Sequence, residues 1–210
     1  MSYWMTQSLL SSWQHFLDAD DLWADKSWAS FLSALRREEQ PLTEAMKKGI
    51  QFEDDINRTV AGEKLDRKED RRAKAVARFS RICRGGQAQV PVSGELSIGG
   101  LDLVLYGVCD YVKAGIIYDI KRVTRYEYGK YQHSPQHPMY LHLIPSASRF
   151  DYLIFDGAFC YRESYRRGDF PPIEDTITQF IRFLQEHSLI DEYKRYWGMD
   201  EEREWKRYGV

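Results

Sequence analysis

The sequence predicts an α/β fold, a central mixed β-sheet flanked by helices. Three observations lead there. Apolar residues recur at helical spacing through the first third of the chain and again near its end. Between these regions, glycine-punctuated stretches of alternating or continuous apolar residues have the period of strands. The chain of 210 residues, 43% hydrophobic and 14% aromatic, is long enough to bury a sizeable core yet within the ordinary size of one domain, so a single domain over residues 1–210 is expected.

Over residues 8–35, Leu9, Trp13, Phe16, Leu17, Trp23, Trp28, Phe31, Leu32 and Leu35 fall at helical spacings, interrupted at the acidic stretch 18–21. Two helices are expected here. A third is expected after Pro41, a residue suited to a first helical turn, running through Ala45, Gly49, Phe52 and Ile56, so that N-terminal helices cover about 8–60. Residues 63–84 are dense in charge, yet Val76, Phe79 and Cys83 share one helical stripe and Arg71, Lys74, Arg78 and Arg81 another, the pattern of an amphipathic helix.

After Gly85-Gly86 the period changes. Val90, Val92, Leu96, Ile98, Leu101, Leu103 and Leu105, separated by Gly94 and by the turn-forming Gly99-Gly100, predict strands and a hairpin. The stretch LVLYGVCDYVKAGIIYDIKRV reads as a strand carrying Asp110, a tight turn at 113–115 and a second strand carrying Asp119 and Lys121. A helix over about 135–144, strands at 151–155 and 158–165, and a final helix over about 172–197, with Ile177, Ile181 and Leu184 on one face, complete the expected order.

The formal net charge is −2, so any surface for a polyanion must come from local segregation of charge. Cys83, Cys109 and Cys160 are scattered and odd in number, which argues against a disulfide framework and for a reducing compartment. No segment approaches the roughly 20 apolar residues of a membrane helix, and the start lacks a basic segment followed by an apolar one. A soluble, cytoplasmic protein without a membrane partner is expected.

On a strand, residues i and i+2 face the same way, so Asp119 and Lys121 project together while Ile120 points into the opposite layer. If the turn at 113–115 pairs its two strands, Asp110 comes close enough to Asp119 to share an ion. Converging carboxylates repel unless a cation joins them. Hard oxygen ligands select Mg²⁺ or Mn²⁺ over Zn²⁺, which gives a site suited to phosphoryl chemistry, with Lys121 offsetting developing charge and Glu53 completing the ligands from its helix. Alone, the Asp119-Ile120-Lys121 triplet reads more readily as a surface ion pair on an edge strand. The ordered set carries the reading.

Taken together, GIQFE (49–53), GVCD (107–110), DIK (119–121) and QHPMY (136–140) resemble the PD-(D/E)XK nuclease superfamily, in its RecB-like and lambda-exonuclease-like branch, over about residues 49–144. The resemblance implies a restriction-endonuclease-like core, its catalytic part at about 49–165. It implies a Mg²⁺- or Mn²⁺-dependent deoxyribonuclease, an exonuclease in recombination, repair or phage DNA processing, with Glu53, Asp110 and Asp119 binding metal, Ile120 adding its backbone carbonyl and Lys121 as catalytic lysine.

Gln136 and Tyr140 match the QxxxY motif of that branch, which contacts DNA; on a helix their spacing puts both on one face. The alternative roles are a helix-start residue and a core aromatic. Many RecB-like members carry a histidine where this chain offers Glu53, so the site would be all-oxygen, and the iron-sulfur branch needs four cysteines, so no cluster is expected. The implied partner is DNA, and the branch includes rings of subunits around DNA, which leaves a homo-oligomer open. Other readings are a structure-specific or restriction-like endonuclease and a catalytically silent nucleic-acid-binding module; the intact set of Glu53, Asp110, Asp119 and Lys121 tells against the last.

Arg122, Arg125 and Lys130 alternate with Tyr126, Tyr128 and Tyr131 directly after the DIK strand. Such a segment suits a DNA strand through stacking and phosphate contact, or equally a loop packed on the core. The Arg71, Lys74, Arg78 and Arg81 stripe suits a phosphate backbone, although a solvated helix face is the commoner meaning. His133 and His137 have a zinc-chelating separation, but Pro135 and Pro138 oppose a regular helix across both.

Overall fold

The computed structural model describes residues 1–64 and 70–199, so the start of the charge-dense segment at 65–69 lies outside the described residues. In chain order the elements are β1 (Ser2–Thr6), α1 (Gln7–Leu17), α2 (Ala24–Leu35), α3 (Glu44–Val60), α4 (Arg71–Cys83), β2 (Gln87–Ile98), β3 (Leu101–Lys113), β4 (Ile116–Arg122), α5 (Gln136–Leu143), β5 (Arg149–Phe155), β6 (Cys160–Arg166), α6 (Ile173–Glu186) and α7 (Ile190–Trp197). The fold is mixed α/β: six strands form one mixed sheet, with the seven helices of the described residues around it. This is consistent with a restriction-endonuclease-like core.

Four elements depart from the sequence-based expectation. β1 is an additional strand, parallel to β3, and it is only five residues long before Thr6 caps α1 by accepting the Leu9 N–H at 3.3 Å. So short a strand carries no periodicity of its own. Pro41 precedes α3 without entering it, and Thr43 is the cap, accepting the Met46 N–H at 3.2 Å. Gly94 lies inside an unbroken β2. The single helix expected over 172–197 is two helices, parted where Ser188 takes a left-handed φ of 57°. That turn brings Ile177, Ile181 and Leu184 of α6 and Tyr193 and Trp197 of α7 onto one shared core.

The other helices follow their sequence signals. Asp70 caps α4 by accepting the Ala73 N–H at 2.8 Å; Val76, Phe79 and Cys83 are buried there while Arg71, Lys74, Arg78 and Arg81 face solvent. Gly99 and Gly100 both have positive φ, the two-residue turn that matches strand twist, and β2 and β3 pair from Ile98↔Leu101 to Gln87↔Val112 with one rung missing, between Val90↔Cys109 and Ala88↔Tyr111.

β3 organises the site. Its edge away from β2 is shared by two strands: β1 pairs with 102–106 and β4 with 111–113. Between them lies a gap at 107–110, where β3 and β4 splay apart. Tyr140 of α5 fills it, its hydroxyl donating to the Val108 carbonyl at 3.0 Å. Gly107 permits this approach, since a Cβ there would stand 2.5 Å from Cε1 of the Tyr140 ring.

Three cores surround the sheet. One joins α1, α2, α6 and α7 through Trp13, Phe31, Phe180 and Tyr193. A second packs α3 and α4, with Phe52, Ile56 and Phe79, against Tyr111, Tyr118 and Ile120. The third packs α5 against Ile117, Phe150, Tyr152 and Ile154. Among the described residues no helix is long and apolar enough to cross a membrane.

Candidate active site

The splay between β3 and β4 leaves backbone groups for side chains to satisfy. Asp110 Oδ2 accepts the Ile120 N–H at 2.7 Å, doing the work of a ladder bond beyond the last β3–β4 pair, Tyr111↔Tyr118. On β4, Ile120 is buried against α3 and α4, while Asp119 and Lys121 face the α5 side together, as strand alternation requires.

Asp119 is 4% exposed. Its Oδ1 accepts from Lys121 Nζ at 3.0 Å and from the Gln136 side-chain amide; Oδ2 has the ammonium at 2.7 Å as an ion-pair contact but no hydrogen bond. Glu53 arrives on α3, one position after buried Phe52, and its Oε1 accepts from Gln89 Nε2 at 2.7 Å.

Three carboxylates therefore meet one ammonium. Burial, then the charges of Asp119 and Glu53, hold the Asp110 carboxyl well above the usual carboxylate range. Burial and the Asp119 charge likewise raise Glu53, against the opposing Gln89 hydrogen bond. For Lys121, burial works against the ammonium, but the attraction of Asp119 and Asp110 outweighs it and the group titrates above its ordinary value. Negative charge is in excess, and the protein's own groups compensate it only in part.

Among the described residues, no three His, Cys, Asp or Glu side chains form a ready-made cage for an ion. Each carboxylate instead has a protein partner: the Ile120 N–H for Asp110, the Gln136 amide and Lys121 for Asp119, and the Gln89 amide for Glu53. The donor set nonetheless fits a hard divalent cation: the ligands are oxygens, their charge is under-compensated, and buried Asp119 Oδ2 faces only the Lys121 ammonium, at 2.7 Å.

The residues expected to touch DNA fall into two groups. Gln136 and Tyr140 share a face of α5 and are 7% and 3% exposed; Gln136 holds Asp119 and Tyr140 holds the Val108 carbonyl. Gln136 also lines a cavity of about 370 Å³ with Lys121, Lys130, Tyr131 and the polar face of α1, Gln7, Ser11 and Gln14. Arg122, Arg125 and Lys130 lie on or just after β4. Arg122 donates to the Val123 carbonyl at 3.0 Å and rests over the Phe155 ring, Arg125 is exposed and paired with Glu127 at 2.7 Å, and exposed Lys130 lines the same cavity.

The intervening tyrosines divide. Tyr126 donates to buried Glu163, Tyr131 stacks on Tyr152 at 4.4 Å, and Tyr128 stays 90% exposed. The loop is thus packed on the core by two tyrosines and presents the third. His137 is fully buried, stacked on Tyr165 at 4.0 Å, with Nδ1 3.2 Å from the Tyr152 hydroxyl.

Sequence reasoning missed the polar face of α1 and Gln89. The first had a signal, Gln7, Ser11 and Gln14 at helical spacing opposite Leu9, Leu10 and Trp13. Gln89 had none, because its placement depends on the backbone.

No family model matches the chain, and no curated protein matches it. Among solved structures it is similar to SSO0001, at 13% identity and a TM-score of 0.54 over 88% of this chain and 76% of that one. LHK-Exo, solved in complex with dAMP, aligns at 15% identity and a TM-score of 0.43 over 91% of each chain, too loosely to carry an argument. At these identities the likeness to SSO0001 shows the α/β fold alone.

Proposed function

We propose that this chain is a Mg²⁺- or Mn²⁺-dependent deoxyribonuclease that hydrolyses phosphodiester bonds at Glu53, Asp110, Asp119 and Lys121. The observation that carries the reading is the gathering of three under-compensated carboxylates and one lysine from α3, β3 and β4 at the place where the sheet splays. A purely structural site gains nothing from unbalanced charge, whereas a site for a cation and a phosphate uses it.

Asp110, Asp119 and Glu53 would hold the ion, with the Ile120 carbonyl as a further oxygen. Such an ion supplies Lewis-acid chemistry, polarising a scissile phosphate and making water more acidic. The chain's own residues do the rest. Lys121, held by Asp119, places a positive charge where negative charge develops on the phosphate oxygens. Gln136 fixes Asp119 from behind, leaving Oδ2 as the oxygen without a hydrogen bond. Lys130 with Arg122 and Arg125 would receive the backbone along the loop after β4, and exposed Tyr128 offers a ring for a base.

Action at DNA ends, in recombination, repair or phage DNA processing, is the preferred form, supported by the Gln136–Tyr140 pair beside the centre. A restriction-like endonuclease is the second reading, favoured by one observation: both residues already have internal partners. Incubation with end-labelled linear duplex, closed circular DNA and single strands, each with Mg²⁺, Mn²⁺ or EDTA, separates these. Metal-dependent loss of linear DNA with intact circles supports the exonuclease, cut circles support the endonuclease, and binding without cleavage in any metal removes the enzyme reading.

A further inference from the structure

β2 contains one residue whose backbone does not belong to a regular strand. Gln89 takes a φ of 50°, a left-handed conformation that costs a side-chain-bearing residue free energy. The pairs on either side, Ala88↔Tyr111 and Val90↔Cys109, set Gln89 opposite Asp110, and the ladder skips that rung. At the same point the Gln89 amide donates to Glu53 Oε1 at 2.7 Å. Backbone strain, a missing rung and a side-chain hydrogen bond coincide between the helix-borne and strand-borne carboxylates.

α3 is tied to β3 one turn further on, where Tyr111 OH donates to Asn57 Oδ1. That contact fixes the helix. It leaves the Glu53 side chain free to turn, and a flexible carboxylate facing two others would swing away from them toward water. The Gln89 amide opposes that movement, and the left-handed backbone is what aims the amide across the end of the sheet.

We infer that Gln89 is a positioning residue that holds Glu53 toward Asp110 and Asp119. The inference deepens the proposed nuclease function and rests on it. Gln89 reacts with nothing and acts only through Glu53, so its effect belongs to turnover and not to DNA affinity.

Two substitutions separate the amide from the backbone. Gln89→Gly removes both amide and strain, and Gln89→Asn suits a left-handed backbone but is one methylene too short to reach Glu53. Both should fold with melting temperatures at or above wild type. On saturating linear duplex with Mg²⁺, kcat should fall about tenfold with KM for DNA unchanged, the scale of loss when a group orienting a ligand is removed. Gln89→Gly combined with Glu53→Ala should be no slower than Glu53→Ala alone. Wild-type kcat in either folded variant overturns the role, as does a double variant whose loss is the product of the two single losses.

The metal-free protein gives an independent reading from the side-chain amide resonances of Gln89. Glu53→Ala should shift them, and unchanged resonances overturn the hold on Glu53. If wild-type protein cleaves no substrate, the nuclease reading fails on its own, and these resonances still decide whether Gln89 holds Glu53.

Discussion

Asp151 on β5 and Asp119 on β4 are both withdrawn from solvent, at 0% and 4% exposure, yet their surroundings are opposite. Asp151 has two guanidinium groups and a hydroxyl for one carboxylate: Arg149 Nε at 3.1 Å, Arg162, and Ser164 Oγ at 2.5 Å. Asp119 shares one ammonium with Asp110 and Glu53. The first cluster is over-supplied with donors and closes the β5–β6 pairing. In the second, α3, β3 and β4 converge on groups that repel. A buried charge kept for stability is paired, and one left in deficit awaits something from outside.

The largest stability effect should separate the two clusters. Asp151→Ala strands Arg149 and Arg162 beside each other and should cost about 3 kcal/mol, the lower end for a broken buried pair because Arg162 is 42% exposed, or a Tm loss of roughly 10 °C. Asp110→Asn in metal-free protein removes a carboxyl whose ionisation burial and the two neighbouring carboxylates already oppose, and should leave Tm unchanged or higher. Equal losses in thermal melts would break the comparison.

Metal binding should sharpen it. Asp110, raised by burial and then by both other carboxylates, feels each of them, so Asp110→Asn should weaken Mn²⁺ binding by roughly tenfold or more, and Glu53→Gln by less. Calorimetry with unchanged affinity in Asp110→Asn would remove this group from the centre.

His137 gives a third case, a buried group held neutral. Burial pushes its pKa from 6.5 down to about 3, so on acidification the unfolded chain takes the proton first. Its contribution is complete above about pH 6.5 and is lost as pH falls toward 3, at up to about 1.36 kcal/mol per pH unit. His137→Phe, which can keep the stack on Tyr165, should flatten that part of the dependence in denaturant melts between pH 7 and pH 4. An identical slope would show that another group carries the acid sensitivity.

The smallest effect is expected at Tyr140. Tyr140→Phe leaves the Val108 carbonyl without its donor in the gap between β1 and β4, a cost of about 1 kcal/mol. Raised KM on linear duplex in the same folded variant would add a DNA contact, and unchanged kinetics would leave Tyr140 as the filler of the gap.

Much of this was legible in the sequence because it obeys short-range rules. The two-residue alternation placed Asp119 and Lys121 on one face and Ile120 on the other, and the glycine pair at 99–100 marked the hairpin. Apolar spacing gave α1, α2 and α4. What could not be read depends on distant segments meeting. β1 has five residues and is a strand only because β3 offers an edge. The break at Ser188 is set by where α7 must pack. Gln136 is bonded to Asp119, 17 positions earlier, and no local pattern reports that contact. The splay of β3 from β4, which gives Asp110 its backbone partner, arises because β1 and β4 share one edge.

The central claim is that the under-compensated carboxylates and Lys121 cleave DNA. Its most direct test is the rate of cleavage of end-labelled linear duplex by wild type and by Asp119→Asn in Mg²⁺, with melting temperatures measured on the same samples. The account predicts metal-dependent cleavage by wild type and a fall to the EDTA background in a variant that melts no lower than wild type. Wild-type cleavage by folded Asp119→Asn, or no cleavage by the unaltered protein with either metal, would contradict it.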